Sequence, residues 1–185
     1  MARWEPDARG RLQTAAMTLF QERGFAEVTV AEIAERAGLT KRTFFNHFAD
    51  KREVFFANAQ MFEESVLARL DEADPELSAI DAAVHAVTLA GRELAPYYDF
   101  AKARIAVLAV TPELRERDLV KTAGLTAAMA RALGERGVPP RTAEFAAQAA
   151  LTVFAVAAAE WIAGKDADLA VLMRRALDEL RDAIA

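Results

Sequence analysis

Lys41, Arg42 and Asn46 fall close together in a stretch, TVAEIAERAGLTKRTFFNHFADK, that runs from Thr29 to Lys51. Long cationic donors beside an amide are the groups that read base edges, Arg against guanine and Asn against adenine. To act together they must project from one face of a short, firmly held element. Asn46 lies one helical turn after Arg42, which puts both on such a face; the other readings are a rim position for Asn46 and an ordinary solvated face for Lys41 and Arg42. Thr29 with Glu32 three residues later forms a capping box that opens a helix. The apolar Ile33, Ala34 and Ala37 follow, and Gly38 stops it. A second short helix is expected over about 40–46, with Phe44 and Phe48 turned inward. Ala34 is small where the second helix must cross the first, and Gly38 tolerates the positive φ of a tight turn. Ala34, Gly38 and Phe44 are spaced four and six apart, as a helix-turn-helix requires. Lys41 and Arg42 then stand at the exposed N-terminal end of the second helix, the end that meets base edges.

The rest of the chain supplies the elements that hold this unit. Leu12, Ala15, Ala16, Leu19 and Phe20 form one apolar stripe, so a helix is predicted over about 7–23, ended by Gly24. Asp50 and Glu53 cap a helix reaching about residue 70, with Phe55, Ala59, Phe62 and Val66 along one side. Asp74-Pro75-Glu76 and Thr111-Pro112-Glu113 each read as N-cap, Pro and acid, which predicts helices near 75–92 and 112–136. A shorter helix is expected at about 97–109. After the break at Gly137-Val138-Pro139-Pro140 come two more, about 141–163 and 167–184, parted by Gly164-Lys165-Asp166. No strand pattern is found. The fold class is therefore all-α with about nine helices: a three-helix head at 1–52 on a helical body at 53–185.

Composition narrows the classes of function. The 185 residues are 54% hydrophobic and 28% charged, enough to bury a core and stay soluble. The net charge is −5, but residues 1–52 carry nine Lys/Arg against seven Asp/Glu, and the excess acid lies in the remainder. A slightly basic head on an acidic body suits phosphate neutralisation by the head. The chain has no cysteine, and it has two histidines, His47 and His85, without metal-ligand spacing. Ser65 and Ser78 are the only serines, and neither lies in a nucleophile-elbow setting. Gly-rich phosphate loops are lacking. Neither an enzyme nor a metal or cofactor is expected. The longest nearly apolar run, residues 149–159, is short of the ~20 needed to span a bilayer, so no membrane partner is expected and the reading is cytoplasmic.

The stretch resembles the DNA-binding region of the TetR family. The match runs through Gly24-Phe25, Thr29-Val30, Ile33-Ala34, Ala37-Gly38, Thr40, Thr43-Phe44-Phe45, His47-Phe48 and Lys51, and covers about residues 9–55. The resemblance implies a regulator that binds double-stranded operator DNA, most readily a repressor released by a small-molecule effector. Thr29, Thr40, Lys41, Arg42, Thr43, Asn46, His47 and Lys51 are the implied DNA-binding residues. Thr29 is either a cap alone or a cap whose helix end faces a phosphate. His47 is either a packed neutral histidine or a phosphate contact. Lys51 opposes the dipole at its helix N-terminus, which fits better if it meets phosphate. Two positions depart from the pattern: Arg42 stands where Gly is common, and Phe45 where Tyr is common, so a hydroxyl that reaches phosphate is missing. The competing reading is a helical adaptor that binds protein.

For the body, the resemblance implies a homodimer through the last two helices and an effector pocket inside the bundle. Leu169, Leu172, Met173, Leu177 and Leu180 form one stripe on the last helix. The helix before it is apolar nearly all round, which demands cover on every side. The implied seam is Ala149, Val153 and Ala157 with that stripe; the other reading of the apolar helix is a core helix of a monomer. The implied pocket draws on Phe62, His85, Tyr97, Tyr98, Phe100, Arg104, Met129, Phe154 and Trp161, with His85 and Arg104 as polar groups in apolar surroundings.

Overall fold

The computed structural model describes residues 7–164 and 168–185. Among the described residues there are nine α-helices and no strand: α1 (Ala8–Arg23), α2 (Val30–Arg36), α3 (Lys41–His47), α4 (Lys51–Asp71), α5 (Ala79–Arg92), α6 (Tyr98–Val110), α7 (Pro112–Glu135), α8 (Pro140–Ala163) and α9 (Leu169–Ile184). A single 3-10 turn, Ala95–Tyr97, leads into α6. Of the break expected at Gly164-Lys165-Asp166, Lys165 and Asp166 lie outside the described residues.

Most helix ends follow their caps. Thr29 caps α2 with both halves of the capping box in place, and Thr40 accepts from the Thr43 N–H at the start of α3. The start of α5 differs from expectation. Asp74 does accept from a backbone N–H, that of Glu76, but the turn there does not continue. Ser78 caps instead, accepting from the Asp81 N–H and donating to the Asp81 carboxylate, so α5 begins at Ala79. Two cap signals stand four residues apart, and the second one starts the helix.

Contacts divide the chain into two units, and the division does not fall at 52/53. Unit one comprises residues 1–60 and 99–117. Its core runs from Leu12, Phe20 and Phe25 through Ile33 and Phe44 to Phe55 and Phe56. Phe20 meets Phe25 and Phe55 at 4.9 and 6.3 Å between ring centroids. Ala103, Val107, Leu108 and Leu114 belong to the same cluster. Here α6 and the first turns of α7 cover the start of α4, and Arg117 pairs with Glu53 while lying over the Phe56 ring. Burial of Val54 to Ala57 in this core is why the first turns of α4 go with the head.

Unit two comprises residues 61–98 and 118–185. Here α5, α8 and α9 pack against one another. Gly91 of α5 permits the closest approach: a Cβ there would lie 3.0 Å from Leu169 Cδ2 and 3.1 Å from Phe154 Cε2. The Arg136 guanidinium donates to the carbonyls of Leu70, Ala73 and Asp74, at and just beyond the end of α4. By length and composition alone α8 is apolar enough to cross a membrane, a wider window than the 149–159 run because it tolerates isolated polar residues such as Gln148. In the fold it is packed by α5 and α9.

Candidate nucleic-acid interface

The helix-turn-helix is held from behind. The Arg11 side chain donates to the Ala37 carbonyl at the end of α2. Gly38 follows at φ +67°, a conformation that favours glycine, and a Cβ there would displace the end of the Arg11 side chain, 2.8 Å away at Nη2. Phe44 and Phe48 anchor α3 and its end in the core.

The outward side of α3 then carries Lys41, Arg42, Phe45, Asn46 and His47, all exposed, with Thr43 half-buried. Among the described residues nothing bonds to the side chains of Arg42 or Asn46, so their donors are available to a partner. Lys41 lies with Nζ 5.9 Å from the Phe45 ring centroid. The Thr40 hydroxyl shares a 2.9 Å bond with that of Thr43. His47 is exposed, with Phe48 6.4 Å away between centroids, and is not the packed core histidine that was one reading of it.

Two expected DNA contacts are occupied within the chain. The Lys51 ammonium donates to the carbonyls of Phe25, Ala26 and Val28 at 2.7, 3.1 and 3.0 Å and lies 4.4 Å from the Phe25 ring centroid. A lysine has three N–H donors, and all three are used here. This also answers the unfavourable dipole: the charge is solvated by three carbonyls of the loop before α2. The Thr29 hydroxyl donates to the Glu32 carboxylate at 2.7 Å and accepts from the Glu32 N–H. The Thr29 hydroxyl, then Arg23, then the Thr29 N–H, hold the Glu32 carboxyl well below its usual 4.5, at about 2. An ionised carboxylate thus already occupies the positive end of α2.

The other candidate residues scatter. Phe62 stacks on Phe154 at 5.2 Å, and Tyr98 meets Trp161 edge-on at 5.0 Å while donating to the Ile162 carbonyl. Met129 and Trp161 are buried. Phe100 and Arg104 belong to unit one, where Arg104 lies over the Phe55 and Phe56 rings. His85 and Tyr97 are exposed, so His85 is not a polar group in apolar surroundings as expected. A cavity of about 200 Å³ in unit two is lined instead by Pro75, Leu77, Ala82, Leu133, Arg136 and Val138.

Most residues of the expected seam are covered by the chain itself. Val153, Ala157, Leu169, Leu172, Met173 and Leu177 are buried within the chain's own core, and Ala149 and Leu180 are half-buried. The stripe of α9 packs onto α5 and α8 of the same chain. Among the exposed positions of α8 a second stripe holds Phe145, Thr152, Val156 and Ala159, with the half-buried Ala149 between the first two. Phe145 is 69% exposed and Val156 48%.

Comparisons agree with this geometry. Residues 12–57 match the model of bacterial regulatory proteins of the tetR family. The chain is 30% identical to the HTH-type transcriptional regulator TcmR of Streptomyces glaucescens, covering 94% of this chain and 82% of TcmR. In fold it is similar to SmeT in its triclosan complex (TM-score 0.61, 21% identity, 95% and 90% covered). It is similar also to the repressor FadR of Thermus thermophilus bound to lauroyl-CoA (TM-score 0.56, 24% identity, 96% and 95% covered). With the helix-turn-helix built as described and a full-length relative of this kind, the chain belongs to the TetR family of transcriptional regulators.

Proposed function

We propose that the chain is a homodimeric repressor that reads a near-palindromic operator with α3 and leaves it when a small molecule binds. The observation that carries this reading is the outward side of α3, where Arg42 and Asn46 stand exposed with no partner among the described residues. Arg42 takes a guanine edge and Asn46 an adenine edge in the major groove, while Lys41, Thr40, Thr43 and His47 sit at phosphates. Lys51 and Thr29 serve by holding the loop and the start of α2.

The dimer forms on the Phe145, Ala149, Thr152, Val156, Ala159 stripe of α8, whose spacing of four and three is that of a helix–helix seam. Two heads so joined meet half-sites about one DNA turn apart, ~34–36 Å or a multiple. The effector is an apolar, partly aromatic molecule that enters unit two at the Phe62–Phe154 stack. The fold-level likeness to SmeT with triclosan and FadR with lauroyl-CoA supports a ligand of that character. The setting of such work is the cytoplasm, and no catalysis is called for.

The test is a randomised-duplex selection with the purified chain, followed by footprinting and transcription from the selected site. An enriched near-palindrome, a two-fold footprint and lowered transcription are expected. Failure to enrich any sequence leaves the adaptor reading; raised transcription overturns repression.

A further inference from the structure

Phe45 is out of place by the usual logic of an exposed helix face. Its neighbours Phe44 and Phe48 are buried, yet Phe45 is 51% exposed in a seven-residue helix whose other outward residues are polar. The ring is not loose. Phe44 meets it edge-on at 5.5 Å between centroids, and Lys41, one turn earlier, lies with Nζ 5.9 Å from its centroid. Helical spacing makes two outward rows: Lys41 with Phe45, and Arg42 with Asn46. The second row is built from hydrogen-bonding groups. The first ends in a ring that has no donor or acceptor and so cannot bond a phosphate or a polar base edge.

An apolar group on a helix that enters the major groove has a specific partner there. Thymine alone among the four bases presents a methyl group on that edge, and contact with it is a form of direct readout open to Phe. Insertion between base steps is a different use of apolar residues and works from the minor groove. We infer that Phe45 is a specificity-determining residue that selects one thymine per half-site by packing its ring against the C5 methyl. The inference rests on the reading of α3 as the groove-facing helix. Lys41 and Phe44 fix where the ring stands, and the row of Arg42 and Asn46 reads the adjoining base pairs by hydrogen bonds.

The test uses the duplex enriched from a randomised library by the wild-type chain, and copies in which each thymine in turn is replaced by uracil, which lacks only the methyl. For the wild type, one such replacement in each half-site weakens binding about fourfold, the equivalent of about 0.8 kcal/mol for one buried methyl. In Phe45→Ala the same replacement changes nothing, and in Phe45→Leu a reduced sensitivity remains. Should Phe45→Ala bind too weakly to titrate, Phe45→Leu carries the comparison. An enriched duplex without thymine in the half-site, uracil tolerance at every thymine, or an undiminished fourfold loss in both variants overturns the inference. Those results leave the groove reading of α3 intact, whereas failure of the selection to enrich any sequence overturns that reading itself.

Discussion

The short α3 and the long α8 each show solvent a face that the chain does not cover, and the two faces are opposite in kind. On α3 the uncovered groups are chiefly Lys41, Arg42, Asn46 and His47, which water can satisfy. On α8 they include Phe145, Val156 and Ala159, which water cannot, with Thr152 the polar member of the row. A surface of the first kind can be left and regained at little cost. One of the second kind favours permanent cover. On the function proposed above, the difference favours a conditional contact of DNA with α3 and a lasting contact of a second copy with α8.

The sharpest way to break that comparison is a pair of adjacent substitutions on α8. Ala157 is fully buried in its own chain and Val156 is 48% exposed. Ala157→Glu is expected to cost about 4 kcal/mol or more and unfold unit two, because the charge has no partner there. Val156→Glu should leave the fold intact and yield monomers by sedimentation. A folded monomer from Ala157→Glu would return the seam to the side that the sequence suggested.

On α3 the expected effect is smaller. Arg42→Ala should weaken specific binding by about 1–3 kcal/mol and relax one base position in a binding-site selection. An unchanged footprint and affinity would remove Arg42 from the interface. Lys51→Ala is a milder change and separates holding from reading. If its three N–H groups stay on the loop, urea unfolding should show a loss of about 1 kcal/mol while the salt slope of DNA binding is unchanged. A slope flattened by ~1 would mean that Lys51 neutralises a phosphate after all.

The smallest effect is a pH dependence at the start of α2. Glu32 titrates at about 2 in the folded chain against an ordinary 4.5. A depressed carboxyl stabilises fully above the unfolded value, and that contribution is lost as pH falls from about 4.5 through the folded value of about 2. Carboxyl NMR should place the Glu32 midpoint there. Glu32→Gln should abolish the loss of α2 protection in that window, and a Glu32 midpoint near 4.5 would mean that the capping box is open in solution.

Legibility in the sequence tracked the reach of each interaction. The caps of Thr29 and Thr40 act over three residues and could be read directly. The start of α5 could not, because Asp74 and Ser78 are both sound caps and only packing of the Ala82–Ala90 face decides between them. For α9 the apolar stripe was plain, but periodicity says that a stripe is covered, not by which chain. On α8 the nearly apolar run 149–159 hid which side is turned inward, although Arg141, Glu144, Gln148 and Thr152 form an exposed polar row at the start of that helix. The Lys51 contacts join residues 23 to 26 apart, beyond any local rule.

The Lys51 cradle also makes the chain its own chemical ruler. The sequence has five lysines. An acylating reagent needs a free amine lone pair, and at Lys51 it must first break the loop contacts. Lys41, exposed on α3, has no such barrier. Brief labelling followed by mass spectrometry should mark Lys41 early and Lys51 late. Added operator should slow Lys41 alone. A lysine that marks contact with DNA thus comes paired with one that marks integrity of the α1–α2 loop, and their ratio distinguishes a blocked head from an unfolded one in a single digest.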